Sequence, residues 1–133
     1  MQDSDSEAIL SLIEDDLYTL FEACSIGSFS DEYEYIKQNN GASVSVVLSC
    51  SNKNNKENVI SGLDNISDNV TVSFYPTVTK NKYMEYEASS GSVVVLSSKA
   101  MTSAKAARVV YDEIESVNYE GKKYRKDICP ICL

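Results

Sequence analysis

Gly91-Ser92-Val93-Val94-Val95-Leu96-Ser97-Ser98 is the stretch from which the fold is read. The run Ser92 to Leu96 predicts a strand, because branched Cβ atoms lose rotamer freedom in a helix and fit a pleated surface. Thr102 or Ser103 then offers a side-chain oxygen to cap a helix, and Ala107, Val110, Ile114 and Val117 follow at helical spacing. That spacing predicts a helix over 103–117. Asn118-Tyr119-Glu120-Gly121 is turn chemistry, and Lys122 to Ile128 reads as a final, edge-like strand.

Working back from there, Val44, Val46, Leu48 and Cys50 alternate with Ser43, Ser45 and Ser49, so Ala42 to Cys50 is a strand with Val47 as the exception. Ser51-Asn52-Lys53-Asn54-Asn55 is a turn. Val59, Ile60, Leu63 and Ile66 predict a short helix weakened by Gly62. Val70, Val72 and Phe74 alternate with Thr71, Ser73 and Tyr75 in a second strand ended by Pro76, and residues 83–88 are strand-like. At the N-terminus, Ser4-Asp5-Ser6-Glu7 is a capping box. Ile9, Ile13, Leu17, Leu20, Phe21 and Cys24 recur at helical spacing, with Glu14, Asp15, Asp16 and Glu22 largely off the stripe. This predicts one amphipathic helix over 5–24. Residues 25–41 form a loop carrying the acidic-aromatic segment Asp31 to Ile36.

These readings give an α+β chain: an N-terminal amphipathic helix followed by a ferredoxin-like βαββαβ antiparallel sheet with helices on one face. Residues 1–41 are the helix and acidic linker, 42–128 the folded domain, and 129–133 the start of a truncated zinc module. With 133 residues there is room for one core that needs no disulfides. A net charge of −8 opposes nonspecific binding to nucleic acid or anionic lipid. The acidic N-terminus is the opposite of a signal peptide, and no apolar stretch approaches the ~20 residues that span a bilayer. The expectation is a soluble, intracellular protein, in which four cysteines are free thiols or metal ligands.

Three resemblances bear on function. The glycine-led strand at Gly91, the alanine-bearing helix with Ala104, Ala106 and Ala107, and the turn Tyr119-Glu120-Gly121-Lys122-Lys123-Tyr124 resemble the second half of an RNA-recognition motif. That family stacks unpaired bases on aromatics of its two central strands, at ~1–3 kcal/mol per base. The corresponding strands here, Ser43–Cys50 and Ser92–Leu96, hold no aromatic residue, so the resemblance implies a member that binds protein and counts against RNA. Cys129-Pro130-Ile131-Cys132 resembles the first ligand pair of a RING-type zinc domain, which needs about eight ligands for two ions. The chain holds two of them before Leu133, so zinc is expected only where the chain continues. Cys24 and Cys50 complete a four-thiolate site only if the fold brings them to the C-terminus. Lys123-Tyr124 followed by Pro130-Ile131-Cys132-Leu133 also resembles phage tail-terminator or neck proteins, which assemble as homo-oligomeric rings.

The chain has no histidine and no glycine-rich phosphate loop, and its carboxylates fall in acidic surface runs. The expectation is therefore a non-enzymatic protein-interaction module without a cofactor of its own, the N-terminal part of a RING-type ubiquitin ligase. A structural subunit of a phage particle is the first alternative and a weak RNA-binding domain the second. Cys129 and Cys132 are the candidate metal ligands. The candidate contact residues are Leu17 and Phe21 on the first helix, Val47 and Tyr75 on the open sheet face, and Lys122, Lys123 and Arg125 in the basic run. A protein partner is expected, and no membrane.

Overall fold

The computed structural model describes residues 3–51 and 58–129, with side chains from Asp5 onward. Three helices come first: α1 (Asp3–Leu10), α2 (Leu17–Ile26) and the single turn α3 (Phe29–Glu32). They are followed by β1 (Ala42–Cys50), a 3-10 turn at Leu63–Asn65, β2 (Val70–Phe74), β3 (Thr79–Lys80), β4 (Tyr86–Glu87), β5 (Gly91–Ala100), α4 (Ser103–Ile114) and β6 (Lys122–Tyr124). The main sheet has the order β2-β5-β1-β6 with every neighbour antiparallel. A separate two-stranded ribbon joins β3 to β4.

The valine run at 93–96 sits at the centre. β1 and β5 pair in nine register positions from Ala42↔Ala100 to Cys50↔Gly91. Val46, Leu48, Val93, Val94 and Leu96 are fully buried. A register shift between Leu48 and Ser49 leaves Val93 out of the pairing, and the bulge lets the consecutive Val93 and Val94 both enter the core. The apolar stripe of α4, Ala106, Ala107, Val110 and Ile114, closes this side. The helix starts where Thr102 Oγ1 accepts the Lys105 N–H.

The opposite side of the sheet carries the serines. Ser45 and Ser97, cross-strand partners, lie with their hydroxyls 2.8 Å apart and are both buried. The pair satisfies two polar groups that burial would otherwise leave costly. α1 packs on β1 and β5 from this side. Ser11, just past its end, places its hydroxyl 2.7 Å from that of Ser43. The helices therefore lie on both faces of the sheet, α4 on one and the N-terminal α1 on the other.

Three differences from the expected elements have local causes. The expected single helix over 5–24 is broken at 11–16. Asp16 caps a new helix by accepting the Thr19 N–H and hydroxyl, each at 2.8 Å, and Asp15 accepts the Lys37 N–H at 2.7 Å. Carboxylates that bond the backbone locally compete with helix continuation. The expected helix over 59–66 does not form, because residues 58–61 are bonded sideways to two neighbours. Ile60 N–H donates to Tyr86 O at 2.8 Å, and Ser61 and Asn118 exchange N–H···O bonds of 2.9 Å. Residues 83–88 contribute only β4, in the separate ribbon.

Gly62 ends that strap with φ +84, and a Cβ there would lie 1.8 Å from the Ser116 carbonyl oxygen. Gly62→Ala is expected to cost about 2–4 kcal/mol, since backbone must move on one side. Gly27→Ala, with φ +76 but open space around the Cβ, should cost only about 1–2 kcal/mol. Urea unfolding of the two variants checks the difference, and equal costs would show that the Ser116 contact relaxes freely.

The bonds from Thr19 hold the Asp16 carboxyl below the usual carboxylate range. A depressed folded value means that the cap stabilises α2 above the unfolded value and is lost as pH falls through the folded one. The protection of amides 17–20, taken relative to their intrinsic exchange rates, should fall on acidification below pH ~4. Asp16→Asn, which still caps, should remove that loss of protection.

Candidate functional site

The basic run at the C-terminus is divided by the fold. Lys122 is half-buried, and its Nζ donates to Ile114 O at 3.0 Å and to Val117 O at 2.6 Å. Ile114 O also accepts the Val117 N–H at 3.2 Å, so the ammonium adds a second donor there, and both carbonyls lie at or just past the end of α4, where a cation is favoured by the helix dipole as well. Lys123, on the opposite side of β6, is exposed. Arg125 makes a two-pronged ion pair with Asp127, at 2.9 and 2.8 Å. Both side chains are exposed, so the pair contributes ~0–1 kcal/mol.

Tyrosines fasten this segment to α4. The Tyr111 hydroxyl lies 2.9 Å from Arg125 O and 3.3 Å from Ile128 O, and accepts the Ile128 N–H at 3.2 Å. Tyr124 donates to Glu115 Oε1 at 2.8 Å, a bond that raises its phenol pKa. Burial pushes the Tyr119 phenol up, and its hydroxyl donates to Ser49 O at 3.1 Å. Asn58, which no pattern in the sequence singled out, is buried and bonds Glu120 at both ends of its amide. Its Nδ2 donates to Glu120 O at 3.0 Å and its Oδ1 accepts Glu120 N–H at 2.8 Å.

The thiols do not converge among the described residues. Cys24 is exposed on α2, Cys50 is buried in the core with its Sγ 3.3 Å from Glu120 O, and Cys129 packs half-buried against the core cluster at φ 51. Cys132 lies outside the described residues. No group of three or more Cys, Asp or Glu side chains able to hold a metal is present among the described residues. No helix there is long and apolar enough to cross a membrane.

Three surface features remain. A cleft of about 210 Å³ between α1 and the sheet is lined by Glu7, Ser73, Phe74, Tyr75, Pro76 and Val95, and so includes the expected contact residue Tyr75. Val47, on the same serine-bearing side of the sheet, is half-buried. A second depression of about 380 Å³ lies between residues 59–64 and 84–86. The third feature is α2. Leu20 and Ala23 face inward, Leu17 is half-buried, and Phe21 stands exposed with Tyr18 and Ile26.

The chain is 30% identical over 129 residues to the phosphoribosylamine–glycine ligase of Halalkalibacterium halodurans, covering 95% of this chain and 29% of the relative. It is 31% identical over 130 residues to the ligase of the same name from Neisseria meningitidis, covering 95% and 30%. It is also 29% identical over 131 residues to the trifunctional purine biosynthetic protein adenosine-3 of Chironomus tentans, covering 95% and 10%. The chain thus spans less than a third of the length of the curated relatives it matches. The crystal structure of phosphoribosylamine–glycine ligase from Thermotoga maritima superposes with a TM-score of 0.70 at 22% identity, over 97% of this chain and 31% of that one. No protein-family model matches.

These comparisons correct the functional expectation. End-to-end similarity to segments of purine-biosynthetic ligases replaces the resemblances to RNA-recognition motifs, RING domains and phage ring proteins. The similarity is to enzymes, so the expectation of a non-enzymatic interaction module is overturned as well. The motifs behind those resemblances were short, and the basic turn at 119–124 and the tail after Tyr124 have structural uses at the end of α4.

Lys122→Met is expected to lower stability by about 1–3 kcal/mol, because Val117 O loses its charged donor and Ile114 O keeps only the Val117 N–H. Lys123→Met, on the exposed side of β6, should stay within about 0.5 kcal/mol of the parent. Urea unfolding monitored by circular dichroism reads both, and two neutral substitutions would refute the capping role.

Proposed function

We propose that this chain is a segment of a ligase that joins phosphoribosylamine to glycine, a folded unit that completes the enzyme and leaves carboxylate activation to other parts of it. The observation that carries the reading is the match over 129 residues to a ligase of that name at 30% identity. A ligase crystal structure of the same fold over 97% of the chain supports it. Joining an amine to a carboxylate requires an activated carboxylate and donors aimed at the charge that develops on it. Among the described residues there is no metal-binding cluster, and the glycines are scattered, without the spacing of a phosphate-cradling loop. The activation step is therefore assigned to polypeptide outside this chain.

On this reading the sheet order β2-β5-β1-β6 is a ferredoxin-like arrangement whose first crossover uses the strap at 58–61 and a 3-10 turn where the usual pattern has a helix. Residues 42–128 form the body of the unit and 1–41 its acidic attachment. Protein contact, expected from the sequence through Leu17 and Phe21, becomes contact with the rest of the enzyme.

A chimera tests the reading: the Halalkalibacterium halodurans ligase with its matching segment replaced by this chain. It should ligate phosphoribosylamine to glycine within about tenfold of the parent rate, equivalent to about 1.4 kcal/mol in barrier. This chain alone should show no ligation. A chimera that is folded and fails to ligate would overturn the proposal.

A further inference from the structure

We propose that the outward face of α2, centred on Tyr18 and Phe21, is the surface on which the remainder of the ligase polypeptide docks, and that the docking surface of that remainder is apolar at its centre and basic at its rim. The inference rests on the ligase reading above and specifies the contact it requires.

Two independent observations converge on this face. The first is apolar exposure. Tyr18, Phe21 and Ile26 are 74%, 54% and 71% exposed on one short helix, around a depression of about 330 Å³ lined by Tyr18, Phe21, Glu22 and Ser25. The helix is anchored from its other side by Leu20 and Ala23 and fixed at both ends, by Asp16 and by Gly27 in the left-handed conformation. The face is thus held rigidly in place, with large side chains in water, which marks an interaction surface. The two faces of the sheet are covered, one by α4 and the other by α1, and the other strongly exposed apolar side chains, such as Tyr83, Met84 and Met101, lie in turns rather than on a helix face.

The second observation is charge. Residues 1–36 contain ten Asp or Glu and no Lys or Arg, a net −10. Residues 37–133 contain ten Asp or Glu and twelve Lys or Arg, a net +2, which completes the chain total of −8. The net negative charge of the chain therefore comes from the unit that bears the exposed apolar face. Two copies meeting through α2 would bring two such acidic surfaces together, which disfavours self-association. A surface with basic groups around an apolar centre is the complement. The relatives supply an occupant, since more than two thirds of their length lies outside the matched segment.

Hydrogen exchange in this chain and in the chimera tests the assignment. Amides of Leu17–Ile26 should exchange at least about tenfold more slowly in the chimera than in the isolated chain, while those of α4 change little. Phe21→Glu in the chimera should return the α2 rates toward those of the isolated chain. Equal α2 exchange in both proteins would overturn the proposal. Concentration-dependent protection of α2 in the isolated chain would also overturn it, in favour of a second copy as occupant. Should the chimera be insoluble, the same rates are read on this chain co-expressed with the rest of that ligase as a separate polypeptide. The ligation assay separates the two proposals. An inactive chimera with protected α2 sinks the functional reading and keeps the docking face, whereas an active chimera with unprotected α2 does the reverse.

Discussion

The pairing of β1 with β5 is the constraint that the rest of the structure satisfies. Both strands are central, and their α4-facing side chains are almost wholly withdrawn from water. A four-stranded antiparallel sheet with two buried central strands needs cover on both sides. The apolar stripe of α4 supplies one cover and α1 the other. The two covers differ in chemistry because the strand alternation differs: valines and leucines turn to α4, serines to α1. Burying serines is tolerable where their hydroxyls meet, as Ser45 and Ser97 do. Ser98, paired with Val44 and Val70 on the α4 side, is the exception to this division, and its Oγ is buried with no hydrogen-bond partner.

The second organising feature is the strap at residues 58–61. It runs between the ribbon strand β4 and the turn after α4, bonding to Tyr86 on one side and to Asn118 on the other. Asn58 locks it by occupying both backbone groups of Glu120. Gly62 then lets the chain pass against the Ser116 carbonyl, an approach closed to any side chain. The connection between β1 and β2 thus contributes to the core through Ile60 without forming a helix.

The N-terminal unit is built on different terms. Its helices are short, α2 is capped by the Asp16 side chain and α1 alone packs on the sheet, while its outer surface combines acid with exposed aromatic rings. The basic residues near the C-terminus are partly absorbed by the fold, most clearly Lys122 at the end of α4.

Strict period-2 or period-3.6 patterns were legible without coordinates, because the pattern and the burial have the same cause. β1 at Ala42–Cys50, β2 at Val70–Phe74 and α4 from Ser103 follow the periodicity of their own side chains, and β5 around Ser92–Leu96 follows its unbroken run of valines, buried on both faces. What the tertiary structure decided lies where local and distant partners compete for the same backbone groups. Residues 59–66 have helical spacing, yet hydrogen bonds to Tyr86 and Asn118, far away in sequence, draw them into an extended strap. The helix over 5–24 has a continuous apolar stripe, yet Asp15 and Asp16 spend their carboxylates on Lys37 and Thr19 and divide it. Function was misread for a related reason. Short motifs such as Cys129 to Cys132 and the turn at 119–124 are shared by unrelated folds, while the similarity to the ligases is spread thinly over the whole chain and is visible only by comparison. Phe21 could be named from the sequence as a candidate contact residue, but that it faces outward depends on which side of α2 the rest of the fold buries, because the stripe on a short helix has two sides and only tertiary contacts select one.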